Sequence, residues 1–474
     1  MAAPLAPISN PHSIPPPAAP WIAATAMLAL ALFAPGVLND GDSFLHVTAG
    51  EWMIAHRAVP HTDPFSFNRF GTAWVSHEWL AEILMAAAFR LQGWGGVVVL
   101  TASAAALAMF QLARHLARWL PAGVNLFLLL LAGVCIAPGL LARPHILALP
   151  VFEAWVAGLF IARSLGRAPS WYLLPVMCLW ANLHGGFILG LLLVLPLMLE
   201  ALLAGPANWR AVLARWSAFL LAAIAAALLT PHGAAGLLFP FQLMGMAELS
   251  WIGEWRPSDF GTLQPLELVL IAGLYVALTR GARLPRLRLL VLLGLLHMAL
   301  THTRQQMLIG IIVPLLLAEP LGAALSAAPP ERDGGRWWTA GLMAASALVA
   351  LRLLVPIVRT DGPSAPITAF AHVPQTLAAQ PVFNDYFFGG YLIFMHARPF
   401  IDGRADMYGS AFLREYVAIT RPDKAALEST FRKYKIRWTM LAPANPAVAL
   451  LDALPNWCRY YADDFAIIHT RCET

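Results

Sequence analysis

Apolar residues in this chain come in long, uninterrupted runs separated by short polar stretches, and the runs are about 15 to 22 residues long, enough to cross ~30 Å of hydrocarbon as a helix. Eleven such runs are predicted, at 21–38, 95–113, 122–141, 145–162, 170–182, 186–204, 212–230, 264–279, 287–301, 305–325 and 337–357. The polar stretch from 39 to about 94 is longer than the others and patterned. Within it "FLHVTAGEWMIAHR" has a helical apolar period and "WLAEILMAAAFRLQ" is amphipathic, so both are predicted to lie along a membrane surface. Between them "VPHTDPFSFNRFGTAWVS" reads as turns and extended chain. From about 360 onward the pattern changes to short alternating strands and helices, "PVFN", "RPFIDGR", "AFLREYVAI", "KAALESTFRKY", "IRWTMLAP", "CRYYADD" and "FAIIHTR" among them, which predicts a small α/β domain. The first 20 residues are Pro-rich and are expected to be disordered, leaving a membrane domain over 21–359 and a tail domain over 360–474.

Composition agrees with a polytopic membrane protein. Of 474 residues 59% are hydrophobic and 12% charged, and the mean hydropathy is +0.66. All three lysines, Lys424, Lys433 and Lys435, lie in the tail, where charge density rises to that of a water-facing domain. The net charge of +5 does not point to nucleic acid, because most arginines sit in short loops between apolar runs. With the N-terminus inside, five short inner loops receive twelve arginines and the longer outer loops six, so the positive-inside bias selects this orientation and an odd span count puts the tail outside. No Lys or Arg precedes the first run, which therefore reads as an uncleaved helix. Cys135 and Cys178 fall in apolar runs, whereas Cys458 and Cys472 could pair in an oxidising compartment.

This orientation gathers the polar clusters on the outer side. Asp40 and Asp42 flank one glycine just past the first helix, where two carboxylates can share a cation or one can act as a base. His46, four residues on, shares their face if the segment is helical, so Asp40, Asp42 and His46 are a candidate site for a divalent cation such as Mg or Mn. His77 and Glu78 are a second possible contribution. Arg143 and His145 lie at the outer end of one run, His184 at the end of another, Arg256 in "GEWRPSDF", and His302 with Arg304 at the mouth of the tenth helix. Ionisable groups at membrane depth cost ~2.5 to 3.5 kcal/mol each, so a convergent set calls for compensation, which a lipid phosphate would supply. In the tail Asp385, Asp402, Arg404 and Asp406 follow predicted strands, the usual ligand-binding edge of an α/β sheet. Boundary markers, helix caps, snorkelling side chains and an internal ion pair are the plain alternatives for each group taken singly.

The motifs "DGDSFLHVTAGEWMIAHRAVPHTDPFSF", "WVSHEWLAE", "RPH", "ANLHGG", "TPHG", "EWRPSDF", "VFNDYFFGGYLIF" and "FIDGRADMYG", taken in order, resemble a family of bacterial multi-spanning proteins grouped with the GT-C glycosyltransferase superfamily. The resemblance spans nearly the whole chain. One departure is that Phe44 and Leu45 precede the histidine where relatives tend to carry Trp. It implies a GT-C-like fold in the bacterial inner membrane and an enzyme that moves a sugar from a polyprenyl-phosphate carrier to a glycan, lipid or protein acceptor outside the cytoplasm. The catalytic or metal-binding carboxylate of the first outer loop would then be Asp40 or Asp42. The donor phosphate is expected among Arg143, Arg256 and Arg304, with inversion at the sugar. The alternatives are a non-catalytic scaffold of an envelope polysaccharide assembly complex and, behind it, a transporter of lipid-linked substrates.

Overall fold

The computed structural model describes residues 18–251, 253–280, 283–325, 337–421 and 423–472. Most of the Pro-rich N-terminal segment and the inner-loop residues Arg332 and Arg336 lie outside these. Each of the eleven predicted runs is helical, and among the described residues six helices have the length and composition to cross a membrane: Trp79–Leu116, Ala122–Gly139, Pro144–Ser164, Trp209–Ala227, Thr303–Ala324 and Trp337–Leu354. Shorter apolar helices, among them Ala18–Phe33, Leu173–Leu183, Phe187–Leu203 and Pro265–Arg280, fill the bundle. A further helix, Ala234–Met244, was not anticipated; its apolar stretch is only 11 residues long.

The amphipathic and membrane segments expected at 79–92 and 95–113 are one helix with a break. Gln92 and Gly93 leave helical geometry, Gly93 at φ 55° and ψ −144°, a conformation open to glycine, and there the outer half turns away from the apolar half. The helix Asp42–His56 packs against that outer half, and Ala18–Phe33 and Pro144–Ser164 pack against the same long helix. Polar groups collect at the two ends of the bundle. Arg143 precedes the helix Pro144–Ser164, and Arg163 near its far end faces Glu200, which also pairs with Arg288 at 3.1 Å, while Arg288 reaches Glu319 at 3.1 Å.

The tail forms a four-stranded sheet of β1 (Val382–Asn384), β2 (Trp438–Leu441), β3 (Trp457–Ala462) and β4 (Ile467–Arg471) in the order β1-β2-β4-β3. β1 and β2 are parallel and joined through the helices Ala405–Thr420 and Lys424–Lys433; the other pairs are antiparallel. Alternation divides the sheet between two cores. Val382, Trp438, Met440 and Ile468 join the core of the helical bundle, while Phe383, Leu441 and Ile467 pack with Phe400, Phe412 and Phe431 on the other face. The tail is thus welded to the bundle through one face of its sheet. Cys458 and Cys472 form a disulfide with Cα atoms 5.1 Å apart, closing the end of the β3–β4 hairpin.

The strand expected at "RPFI" is absent. The Asn384 side chain takes over the ladder's role: its amide donates to the Ile401 carbonyl at 2.8 Å and its oxygen accepts from the Phe400 N–H at 2.8 Å, so 399–401 is pinned as a loop beside β1.

Candidate functional site

The end of the bundle that carries Arg143 and Arg304, the polar 39–94 segment and the tail line an open-mouthed cavity of about 820 Å³. Its floor is the "NDGD" turn. Asp40 Oδ1 accepts the Asp42 N–H at 2.7 Å, which ties off the turn into the helix that begins at Asp42, and the Asp42 carboxylate stands at the positive end of that helix's dipole. Ser43 Oγ donates to the Ala142 carbonyl at 3.0 Å and the Ala142 N–H to the Val37 carbonyl at 2.7 Å. These bonds fix the turn beside Arg143, whose extended backbone before Pro144 aims its side chain at the acids.

Gly41 is there because the tail sits on it: a Cβ would come within 2.5 Å of the Phe387 carbonyl oxygen. Gly403 approaches from the other side, and a Cβ there would lie 1.9 Å from Asp42 Oδ1. The tail loop "DGRAD" is therefore part of the cavity wall.

Arg143 is the hub. It meets Asp40 Oδ2 at 3.2 Å, Asp42 Oδ2 at 2.8 Å and Glu254 Oε2 at 3.1 Å, and Glu254 also pairs with Arg304. The Thr303 N–H bonds to the Arg256 carbonyl and Thr303 Oγ1 to that of Glu254, both at 3.0 Å, which brings Glu254 alongside Arg304. Burial alone would raise the Glu254 carboxyl, but Arg143 and Arg304 hold it down at about 2. Asp42 goes the other way. Burial pushes it up to about 6, against Arg143 and with the help of Asp40. Both Asp40 oxygens are engaged, whereas Asp42 Oδ1 accepts no hydrogen bond from the described residues.

A second cluster surrounds Glu78. His184 Nε2 lies 3.5 Å from it, His77 Nε2 3.7 Å and His46 Nε2 3.9 Å. Burial opposes the charge on Glu78, and the imidazoles, His77 foremost, outweigh it, so its carboxyl titrates low. His46 Nδ1 pairs with Glu82 Oε1 at 3.1 Å, and Glu82 Oε2 accepts from Ser76 at 3.0 Å. Burial disfavours the charge on His46, but the Glu82 hydrogen bond and the Glu78 carboxylate raise it. His184 Nδ1 accepts the Gly186 N–H at 3.0 Å, which leaves the proton on Nε2, toward Glu78.

Of the residues singled out by sequence, Asp40, Asp42, His46, His77, Glu78, Arg143, Arg304 and Arg404 line the cavity. Arg256 does not: its guanidinium turns back to the Ser250 and Trp251 carbonyls of its own loop at 3.3 Å each. The 3-10 turn Gly253–Trp255 sends Glu254 inward instead. His145 Nε2 is tied to the Gly139 carbonyl at 2.8 Å, and His302 bonds Thr301 at 3.0 Å behind the wall. Asp385 caps the turn at Phe387 and accepts from Asn445 at 3.1 Å. Asp402 is fully buried, held by Arg404 at 2.6 Å and Tyr408 at 2.7 Å, and Arg404 also clamps Asp63 of the first outer loop at 2.7 Å. In this pair the internal ion pair prevails. Asp406 faces the cavity, and burial raises it to about 6. Arg359, which sequence reasoning passed over, also lines the cavity.

The expected cation site of Asp40, Asp42 and His46 does not fit this geometry. The Arg143 guanidinium occupies the position between the two carboxylates where a cation would sit, and His46 turns to the glutamates. Among the described residues no group of three or more His, Cys, Asp or Glu side chains could hold a metal ion.

No family model and no curated protein sequence matches the chain. Solved structures do match, among them the following two. The oligosaccharyltransferase of Archaeoglobus fulgidus, solved in the apo form, aligns at 11% identity with TM-score 0.52, over 89% of this chain and 69% of that one. ArnT from Cupriavidus metallidurans, solved bound to undecaprenyl phosphate, aligns at 12% identity with TM-score 0.51, over 95% of this chain and 97% of that one. The chain therefore shares the multi-helix fold of these two structures.

Proposed function

We propose that the protein is a glycosyltransferase that moves a sugar from a polyprenyl-phosphate donor to a hydroxyl-bearing acceptor, a glycan, lipid or protein, on the outer face of a bacterial inner membrane. The observation that carries this reading is Asp42, a carboxylate with one free oxygen and a pKa raised by burial to about 6, set in a cavity whose lining includes Arg143, Arg304, Arg359 and Arg404. Such a group is a general base near neutrality. It takes the proton of the acceptor hydroxyl as that oxygen bonds to C1 of the sugar; the C1–O bond to phosphate breaks, and the polyprenyl phosphate leaves with the electron pair. Attack opposite the departing phosphate inverts C1. Arg143 holds Asp42 in line through its other oxygen, and the Glu78 cluster with His46 and His77 is the nearest set of donors to orient the acceptor. No step is assigned to a metal ion.

The Cys458–Cys472 disulfide and the arginine bias of the opposite loops both favour a tail domain outside the cytoplasm, where lipid-linked sugars are presented. One observation favours a scaffold instead: Asp40, Glu254, Arg143 and Arg304 neutralise one another without a ligand. Asp42→Asn separates the two readings. It is expected to abolish release of polyprenyl phosphate from lipid-linked sugar in proteoliposomes while the protein still elutes as the folded species. Asp40→Asn, which removes one of the charges facing Arg143, is expected to reduce transfer less. Full transfer by Asp42→Asn overturns the assignment.

A further inference from the structure

Four guanidinium groups line the cavity, and three of them are committed. Arg143 faces Asp40, Asp42 and Glu254; Arg304 faces Glu254; Arg404 faces Asp402 and Asp63. A phosphate brought to Arg143 or Arg304 would displace or face those carboxylates. Arg359 differs: among the described residues it has no carboxylate partner, and its Nη1 is buried without a hydrogen bond. Its guanidinium rests over the rings of Phe44 at 4.6 Å and Trp94 at 5.0 Å, which themselves meet edge to face, so the fork is held flat and in place. Burial lowers its pKa to about 10, with Asp40 as the nearest opposing influence. A half-buried cation with an idle, buried donor atom calls for an anion.

Resting on the glycosyl-transfer reading above, we propose that Arg359 is the seat of the donor's phosphate, and that the carrier lipid runs from there along the exposed apolar residues just before it. Arg359 follows the last apolar helix, Trp337–Leu354, by five residues. Leu354, Val355 and Val358 in the same segment are 79%, 51% and 80% exposed, apolar side chains that the protein leaves largely uncovered. A prenyl chain lying on them has its head group at the cavity mouth, where Thr360 and Ser364 add hydroxyl donors. The planar fork suits a phosphate, which accepts two parallel N–H bonds. The arrangement also divides the labour: Arg359 takes the leaving phosphate, and Arg143 positions the base.

The test is a set of binding titrations on purified full-length protein in detergent, with undecaprenyl phosphate, uncharged undecaprenol and inorganic phosphate as probes. Wild-type protein is expected to bind undecaprenyl phosphate well above undecaprenol. Arg359→Gln is expected to lose about 10- to 100-fold in affinity for undecaprenyl phosphate, the worth of charge-assisted hydrogen bonds, and nothing for undecaprenol. Inorganic phosphate as tight as the lipid, with the same dependence on Arg359, assigns the seat to free phosphate; much weaker binding assigns it to the lipid head group. If Arg359→Gln does not elute as folded protein, Arg359→Lys carries the test. It keeps the charge but loses the fork, and a drop of about threefold or more is expected, with unchanged affinity overturning the proposal. Wild-type affinity in folded Arg359→Gln overturns the Arg359 assignment and leaves the Asp42 reading standing, whereas wild-type protein that binds no polyprenyl phosphate overturns both.

Discussion

The contact between Gly403 and Asp42 makes a sharp test, because it joins the tail to the proposed base by geometry alone. In Gly403→Ala the new methyl carbon would lie 1.9 Å from Asp42 Oδ1, 2.7 Å from its Cγ and 3.1 Å from Oδ2, while ordinary contact begins at 3.4 Å. The carboxylate or the loop must therefore move by about 1.5 Å, the difference between 3.4 and 1.9 Å. Asp42 is a short side chain pinned by Arg143 at 2.8 Å, so it cannot swing clear without breaking that pair. A displacement of ~1 Å in a reacting group can cost about 100-fold in rate, and overpacking of this kind about 1 to 3 kcal/mol in stability. Transfer from lipid-linked sugar is thus expected to fall at least about 100-fold, with a thermal midpoint only modestly lowered. Gly36→Ala, where nothing lies within 4 Å of the added carbon, is the matched control and is expected to behave as wild type. Wild-type transfer by Gly403→Ala would refute the placement of Asp42 as base.

Three further outcomes follow from the same geometry. Because burial raises Asp42 to about 6 and the base must be ionised, kcat/KM is expected to be full above that pH and to fall tenfold per unit below it; a profile flat down to pH 5 contradicts the role. Arg143→Ala leaves three carboxylates facing one another and is expected to abolish transfer and cost about 3 kcal/mol in thermal unfolding, whereas Arg256→Ala, which loses only contacts to its own loop, is expected to stay within about twofold of wild type. Arg404→Met strands Asp402 and Asp63, both buried, and is expected to cost about 3 to 5 kcal/mol, read as early loss of tail docking in limited proteolysis.

Much of the fold was legible because the signals are long. The eleven apolar runs are all helical, and six of the described helices are long and apolar enough to cross a membrane, where only a helix satisfies the backbone of such a run. The tail strands followed from short apolar stretches alternating with helical ones, and the strand expected at "RPFI" failed because a side chain, Asn384, rather than a neighbouring strand took its hydrogen bonds. The site was legible in part. Asp40, Asp42, His46, Arg143 and Arg304 converge as their shared place at helix ends suggests. Side-chain direction was not legible. A single 3-10 turn decides that Glu254 points in and Arg256 out, and no periodicity marks it. Asp402 and Arg404 looked like a ligand edge because their partner Asp63 is more than 300 residues away in the chain. Arg359 was passed over because its immediate neighbours Val358 and Thr360 carry no charge; its significance lies in the rings of Phe44 and Trp94 beneath it, from distant segments.

The central claim is that one cavity holds both the base and the lipid-linked donor. A density map of the protein in lipid nanodiscs with a non-transferable polyprenyl-phosphate sugar tests it most directly. The sugar is expected in the cavity with C1 within about 4 Å of the space before Asp42 Oδ1 and the prenyl chain leaving past Val358. A donor bound on another face of the bundle, with the Asp42 cavity empty, would contradict it.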